Sequence, residues 1–291
     1  MANGNFGGGI GTSGSPYLVE DYQDFLSIAN NLNAHYRQVS DIDFSEAGTL
    51  NTNAVVGAFG GSYDGGNYKI LNYKSTGGGL FQYTKRYTTV RFKNIHLVNA
   101  NISNTSYCGG IVDGGTYETG MRINFFNCHV KNSTIRGSDG AGGIIGYLYA
   151  SQPMIFECCS FDGTIIATGS VGGICGGGYQ DGTGTHEYYD CFSSGYLETT
   201  NTSGYTGGIT GSRSPTSKFK NCYTSADIFG YNVGGICGWT WSGRTFENCF
   251  VLSNRLGGNN ADAKVGTITP TNTPSNTIIN CYARNDIQLI G

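Results

Sequence analysis

The chain has 291 residues, of which 48 are glycine and only 13% are charged, with a formal net charge of −3. This balance argues against binding nucleic acid through charge, and the composition indicates a turn-rich folded protein. No run of about eighteen apolar residues occurs, so no membrane-spanning helix is predicted. The first residues lack a basic stretch followed by an apolar core, which predicts no secretory leader.

Residues 1–45 are predicted to form an N-terminal cap. The turn-rich segment Gly11 to Val19 leads into Asp21 to Leu32, whose apolar residues recur at helical spacing. They are Tyr22, Phe25, Leu26, Ala29 and Leu32. Pro16 and the acidic residues at the start suit a helix entrance. Because a repeat protein must cover its first open edge, this short amphipathic helix is the expected cap.

The remainder, residues 46–291, is predicted to consist of repeats followed by a C-terminal end cap. A phrase of an aromatic residue, any residue, usually Asn and then usually Cys recurs down the chain, starting at Phe92, Phe125, Phe156, Tyr188, Phe219, Phe246 and, with Ile, at Ile278. The starts are 33, 31, 32, 31, 27 and 32 residues apart. A period near thirty indicates a stacked repeat architecture.

A second phrase, Gly-Gly followed by Ile or Leu, keeps the same period, ending at Leu80, Ile111, Ile144, Ile174, Ile209 and Ile236. The units are rich in Thr, Tyr, Phe, Ile and Val in short, often alternating runs, which is typical of strands broken by turns. We therefore predict an all-β parallel β-helix of about seven rungs, right-handed, with equivalent residues stacked about 4.8 Å apart.

Several columns of stacked residues are predicted to fill the interior. These are the aromatic, Cys and Gly-Gly-Ile positions, the Asn positions as a side-chain amide ladder, and a further series at Ile102, Ile135, Ile166, Leu197, Ile228 and Leu256. Six of the ten cysteines share one repeated position, so reduced core thiols are favoured over disulfides. No cysteine or histidine spacing is typical of a metal site, and no metal or other cofactor is predicted.

The segments His35 to Phe44 and Phe59 to Ile70, with the Gly-Gly-Ile-x-Gly units, carry a shared pattern. It runs from a "PYLV" entrance through a "DIDF" strand and an "F-G-G-x-Y-D-G" turn, and spans Gly9 to Cys281. This pattern resembles the parallel β-helix family with GLUG-type repeats. The resemblance implies a protein of a bacterial cell surface, a secreted protein or a phage tail or virion protein, and no single activity.

Catalysis has one candidate region, the loop that carries Asp181, His186 and Glu187 next to Asp190. Paired carboxylates on a β-helix groove are typical of polysaccharide cleavage. Asp190, however, stands in the Asn column, and Asp-Gly is an ordinary turn dipeptide. The interpretation that we favour is a solvated turn, so the protein is not predicted to be an enzyme, with polysaccharide degradation kept as the open alternative.

Aromatic residues follow each Gly-Gly-Ile phrase, in segments of variable length that belong to turns. Because equivalent turns emerge on one side of a solenoid, they predict a stripe along the rod that binds sugar rings or a partner protein. The alternative is that the rings shield the core. The candidate ligand-binding residues are Tyr83, Tyr117, Tyr147, Tyr149, Tyr179, Trp239, Trp241 and Arg244.

The function predicted from these observations is that of a noncatalytic structural protein of a phage virion or tail, which presents a rigid β-helix to host glycans. The predicted location is therefore the virion. Its expected partners are a host cell-surface polysaccharide or receptor and other virion proteins. The chain is also expected to form a homo-oligomer, for which a trimer is one arrangement. It is not expected to bind nucleic acid or to insert into a membrane. The alternatives are a bacterial surface or secreted adhesin module and a polysaccharide lyase or hydrolase.

Overall fold

A computed structural model describes residues 5–85, 88–115, 122–148, 153–178, 184–211, 216–239, 243–260, 262–270 and 275–290. These residues form a parallel β-solenoid of about seven turns with four sheets and little helix. The predicted all-β fold and its rungs are confirmed. Among the described residues, no helix is long and apolar enough to cross a membrane.

The first two sheets form two long walls of the rod. Sheet 1 has ten strands, in order Tyr17–Val19, His35–Gln38, Ser62–Asp64, Val90–Lys93, Ile123–Phe126, Met154–Glu157, Thr185–Tyr189, Thr216–Lys220, Thr245–Glu247 and Thr277–Ile279. Sheet 2 has fifteen. Nine follow one path, Ile42–Asp43, Lys69–Leu71, His96–Val98, His129–Gly137, Ser160–Ala167, Phe192–Thr199, Tyr223–Thr224, Phe250–Val251 and Tyr282–Ala283. Six more pair beside it, Thr49–Leu50, Lys74–Ser75, Asn101–Asn104, Asp227–Gly230, Arg255–Gly258 and Gln288–Ile290.

The Gly-Gly-Ile phrases connect two shorter sheets. Sheet 3 contains Tyr107–Gly109, Gly140–Gly142, Ser170–Gly172, Tyr205–Gly207, Asn232–Gly234 and Lys264–Gly266. Sheet 4 contains Val55–Phe59, Phe81–Thr84, Val112–Gly114, Ile145–Leu148 and Cys175–Gly178. The chain folds back tightly between them. This brings the backbone of Gly109 so close to Val112 that a Cβ atom at Gly109 would overlap the carbonyl oxygen of Val112. Glycine is needed here for close backbone approach.

The predicted helix is shorter than its apolar stripe. An α-helix covers Tyr22–Ser27 and a 3-10 turn covers Ile28–Asn30; a second 3-10 turn covers Ser45–Ala47. Asp21 precedes the α-helix, and its carboxylate accepts hydrogen bonds from the backbone N–H groups of Gln23 and Asp24, as N-cap residues do. Phe25 is buried with its ring edge-on to Phe44, Tyr63 and Phe81.

The aromatic column lies in the interior, as predicted. From Phe92 to Phe246 each ring stacks on the next, with centroids 4.9 to 5.1 Å apart and planes within 12° of parallel. Below these rings, Tyr63 and Tyr36 continue the register toward the N-terminus. The Cys column is also buried from Cys128 to Cys249, and its thiols donate to backbone carbonyls. All ten cysteines are free.

Two details of the predicted columns are wrong. The Asn column lies at a surface corner, because Asn94, Asn127, Asn221 and their equivalents have φ between 50° and 64°, a left-handed conformation that Asn tolerates best among non-glycine residues. The amide ladder does form there, with Asn127 donating to Asn94 over 2.9 Å. The second correction is that Ile165, and not Ile166, pairs with Ile135 and Leu197 in the buried column. A register shift after Val130 moves the strand by one residue.

Whether residues 1–45 and 46–291 are separate units, with an end cap on the second, remains a prediction.

Candidate functional site

Tyrosine and glycine alternate along sheet 4 and shape a groove on the surface. Tyr83, Gly114, Tyr147 and Gly177 occupy successive rungs in one register. A Cβ atom at Gly114 would lie 3.5 Å from the Tyr83 ring, and one at Gly177 would lie 3.5 Å from the Tyr147 ring. Each tyrosine therefore leans over the glycine of the next rung. We call this feature the tyrosine groove.

The tyrosine groove contains two adjoining cavities that share Tyr107 and Tyr147. These two rings stack with centroids 3.9 Å apart and planes 27° from parallel. The first cavity has a volume of about 240 Å³ and is lined by Asn53, Gly77, Gln82, Tyr83, Asn104, Ser106, Tyr107, Asp113, Gly114 and Tyr147. The second, of about 310 Å³, is lined by Tyr107, Asp139, Tyr147, Gly169, Ser170, Gly177, Gly178, Ser203, Gly204 and Tyr205.

A buried carboxylate forms part of the wall of the first cavity. Asp113 Oδ1 accepts hydrogen bonds from the backbone N–H groups of Gly79 and Gly109, over 2.9 and 3.0 Å. Its Oδ2 accepts from the side-chain amides of Asn53 and Asn104, over 2.6 and 3.1 Å. Burial raises the pKa of Asp113 to about 6, although all four hydrogen bonds oppose this shift.

The position of Asp113 follows from the start of sheet 3. In the next rung the equivalent residue is Gly146, where a Cβ atom would overlap the backbone of Cys108 in the strand below. In the described parts of the chain, sheet 3 begins with the strand of Cys108, so Asp113 has no sheet 3 strand beneath it in the preceding rung. The carboxylate of Asp113 occupies the space that a further sheet 3 strand would fill. It accepts a hydrogen bond from the backbone N–H group of Gly109, which would otherwise be a buried unpaired donor.

The candidate stripe residues are in different environments. Tyr83 is 45% exposed in the groove, whereas Tyr147 is 7% exposed. Trp239 lies edge-on to Tyr205, with centroids 4.3 Å apart. Arg244 is buried and donates to the carbonyl of Trp239. Tyr117, Tyr149, Tyr179 and Trp241 fall outside the described residues.

Sequence reasoning missed Tyr107, Tyr205, Asp113, Asn53 and Asn104. Tyr107 and Tyr205 come before the Gly-Gly-Ile phrase, at the start of sheet 3 strands, whereas the predicted stripe contains only residues that follow that phrase. Asp113 interrupts a column that is glycine at Gly146 and Gly176. A carboxyl residue at a position that is otherwise glycine was the sequence signal that could have identified Asp113.

The candidate catalytic residues that the structure describes do not converge. His186 is buried in the core, Glu187 pairs with Lys218 over 3.1 Å, and Asp190 accepts a hydrogen bond from the Asn221 amide in the corner ladder. Asp181 lies outside the described residues. Within the described parts of the chain, no group of three or more His, Cys, Asp or Glu residues is placed to hold a metal ion.

One serine–histidine pair has a third polar neighbour. His129 Nδ1 lies 2.6 Å from Ser160 Oγ, and His129 Nε2 lies 2.9 Å from Asn127 Oδ1. Ser160 is buried, and burial lowers the pKa of His129. The third group is an amide without the negative charge that stabilises an imidazolium ion in a hydrolase triad. This geometry is not that of an accessible nucleophile.

No protein-family profile and no curated protein sequence matches this chain. Solved structures share its fold, and the similarity of two of them is as follows. One is described as a putative immunoglobulin A1 protease from Bacteroides ovatus, with 22% identity, a TM-score of 0.68, and coverage of 98% of this chain and 89% of that one. The other is named IgA1 Protease, with 17% identity, a TM-score of 0.64, and coverage of 91% of this chain but only 21% of that one.

These comparisons correct the predicted function. The prediction of a noncatalytic phage virion component is wrong, because the structures that share this fold carry the name of an enzyme class. The inference failed because a β-solenoid is a scaffold that serves unrelated functions. At this level of identity the likeness shows the fold alone, and the GLUG-type resemblance remains a prediction.

Proposed function

We propose that this chain holds a neutral oligosaccharide in the tyrosine groove. The observation that carries the proposal is the exposed ring of Tyr83 in the wall of a cavity that adjoins a second one. Concave sites with aromatic walls and a few polar groups are typical ligand sites.

The polar groups of the groove suit hydroxyl-rich ligands. Amides of Asn53, Gln82 and Asn104 line the first cavity, and Ser170 and Ser203 line the second. Asp113 and Asp139 place carboxyl groups in the two cavities. An anionic ligand would be repelled by these groups, so the expected ligand is neutral.

We also propose two details of the fold, its handedness and its N-terminal cap. The winding is right-handed, as parallel strand crossovers nearly always are. The helix Tyr22–Ser27 covers the N-terminal end of the core, supported by the burial of Phe25 against three aromatic rings.

Glycan binding is tested with two groove variants and one control. The purified chain is screened on a neutral glycan array, and the best ligand is titrated by calorimetry. Tyr83→Ala removes an exposed groove ring, and Gly114→Val fills the floor where a Cβ atom makes only ordinary contacts. We expect each to weaken binding at least about tenfold. Tyr68→Ala, at an exposed tyrosine outside the groove, should bind as the wild type does.

Absence of glycan binding by the wild type would refute the proposal, as would equal affinity of Tyr68→Ala, Tyr83→Ala and Gly114→Val. Circular dichroism of each variant distinguishes a lost site from a lost fold.

A second candidate is peptide-bond cleavage, favoured only by the names of the two structural neighbours. The test is incubation of the purified chain with immunoglobulin A1, followed by electrophoresis. We expect the heavy chain to remain intact. Fragments whose amount rises with the concentration of the purified chain, and that do not form with the heat-denatured chain, would replace our proposal with a protease.

A further inference from the structure

The two cavities of the tyrosine groove lie in line along the solenoid axis. Gly114 lines the first cavity and Gly177 lines the second, and Tyr147 stands between these glycines in the same register. Because stacked strands are about 4.8 Å apart, the two glycines are separated by two rungs, or about 9.6 Å. The cavities therefore follow each other along the rod at twice the spacing of its strands.

Sheet 3 forms the other wall of the groove and also combines large with small residues. Tyr107, Gly140 and Ser170 occupy successive rungs, and a Cβ atom at Gly140 would lie 3.3 Å from the Tyr107 ring. Tyr205 comes just before the residue that pairs with Val171, so it lies one rung beyond Ser170. Both tyrosines line the second cavity, and the space between them is open because only small residues separate them in this column.

The exposed aromatic ring of the groove belongs to its first cavity. Tyr83 is 45% exposed and lines that cavity, whereas the Tyr107–Tyr147 pair lines both cavities and so lies between them. Hydroxyl groups of Ser170 and Ser203 follow in the second cavity. A sugar that stacks on Tyr83 is thus placed in the first cavity, and the rest of its chain must pass the tyrosine pair to reach the second.

We propose that the tyrosine groove binds a straight, equatorially linked glycan that lies along the solenoid axis, with alternate sugars in the two cavities. This inference rests on the function proposed above and names the class of its ligand. In such a chain each pyranose ring is turned over relative to the next, so that alternate sugars are equivalent and their separation is close to two rungs. A chain that is linked through axial bonds curves away from a straight groove and cannot fill both cavities in this way.

The test is calorimetry with two pairs of neutral probes, cellobiose and cellotriose, which are equatorially linked, and maltose and maltotriose, whose anomeric bonds are axial. A disaccharide fills one cavity, whereas cellotriose reaches both. We expect cellotriose to bind at least about tenfold more tightly than cellobiose, with no comparable gain from maltose to maltotriose. Gly177→Val fills the second cavity where a Cβ atom makes only ordinary contacts, and should lower the affinity for cellotriose to that for cellobiose. Tyr68→Ala, outside the groove, should keep the full gain.

Failure of this inference is distinguishable from failure of the proposed function. If the wild type binds a neutral glycan on the array but gains nothing from cellobiose to cellotriose, or gains as much from maltose to maltotriose, glycan binding stands and the alignment along the axis is overturned. A Gly177→Val protein with a native circular dichroism spectrum that keeps the cellotriose gain would overturn it too. If no glycan binds, both proposals fail. The wild-type probe comparison decides the matter even if Gly177→Val does not fold.

Discussion

Two columns of aromatic rings run along this solenoid, one inside and one outside. The inner column, Phe92 to Phe246, is at most 1% exposed. The outer column consists of Phe192, Tyr223, Phe250 and Tyr282, in register on sheet 2, with its last three members 38% to 61% exposed. Neighbouring rings stack throughout the inner column, and in the outer column Phe192 stacks on Tyr223 and Phe250 on Tyr282, because parallel in-register strands place equivalent residues one above another.

What separates the columns is the corner residue between them. Tyr188 is inside and Phe192 is outside, although four residues apart they would share a face of one straight strand. Asp190, with a φ of 53°, turns the chain between them, so that Cys191 becomes the next buried residue. The corner explains the spacing of the repeated phrase: aromatic and Cys side chains three residues apart both point inward.

The outer column also shows what an exposed aromatic stripe does not do. Phe192 and Tyr223 lie within 3° of parallel at 5.1 Å, so their faces cover each other and their edges meet solvent. Sugar stacking requires an open ring face. The tyrosine groove, where Tyr83 is exposed without such a stacked partner in its own column, is therefore the better ligand site.

The largest expected effect is truncation of an inner ring. Phe156→Ala should lower the free energy of unfolding by about 3–5 kcal/mol, because it removes buried area and leaves a cavity between two stacked rings. Chemical denaturation followed by circular dichroism measures this. The matched outer variant, Tyr223→Ala, should cost less than about 1 kcal/mol. Similar losses for both would show that stacking, and not burial, determines the contribution of these rings.

The buried carboxyl group of Asp113 should make stability depend on pH. Its pKa of about 6 exceeds the unfolded value of about 3.9, so the folded state binds the proton more tightly. The resulting stabilisation is present below about pH 4 and lost as the pH rises through 6, with a full amplitude of about 3 kcal/mol.

The measurement compares denaturation of the wild type and Asp113→Asn at pH 4, 5, 6 and 7.5. The difference between the two curves isolates this group from other carboxyl groups such as Asp43, whose pKa is lowered by hydrogen bonds from Ser45 and Asn72. Parallel pH profiles would contradict the assignment.

The corner residues should contribute chiefly through their backbone conformation. Asn221 has a φ of 55°, which costs a residue with a Cβ atom roughly 1–2 kcal/mol unless it suits that conformation. Asn221→Ala should therefore destabilise by about that amount, and Asn221→Gly by less, since glycine adopts positive φ freely. Equal losses in thermal denaturation would assign the effect to the hydrogen bond from Asn221 to Asp190.

The smallest expected effect is a gain. Cys158 stands at a corner position where most other rungs have Asn, with a φ of 54°. Cys158→Asn should raise stability by about 0.5–1 kcal/mol, because Asn suits this conformation better. Cys158→Ala, which lacks the amide, serves as the control. A Cys158→Asn protein no more stable than Cys158→Ala would show that this corner is not limited by its residue type.

The sequence by itself determined the period, the strand class and the inner columns, because each rung repeats the same local pattern and only one stacking places Phe156 on Phe125 and Cys159 on Cys128. It also indicated Tyr83 and Tyr147 as candidate ligand-binding residues, but only because they follow a Gly-Gly-Ile or Gly-Gly-Leu phrase. The surface position of Asn127 could be recognised only from the backbone conformation, since an interior and a surface amide ladder have the same spacing in the sequence.

Only the tertiary structure decided the tyrosine groove. The hydrogen bond between Asn53 and Asp113 joins residues two rungs and sixty positions apart, and Tyr107 meets Tyr147 from a different sheet. Such contacts depend on where sheet 3 begins, which no periodic signal encodes.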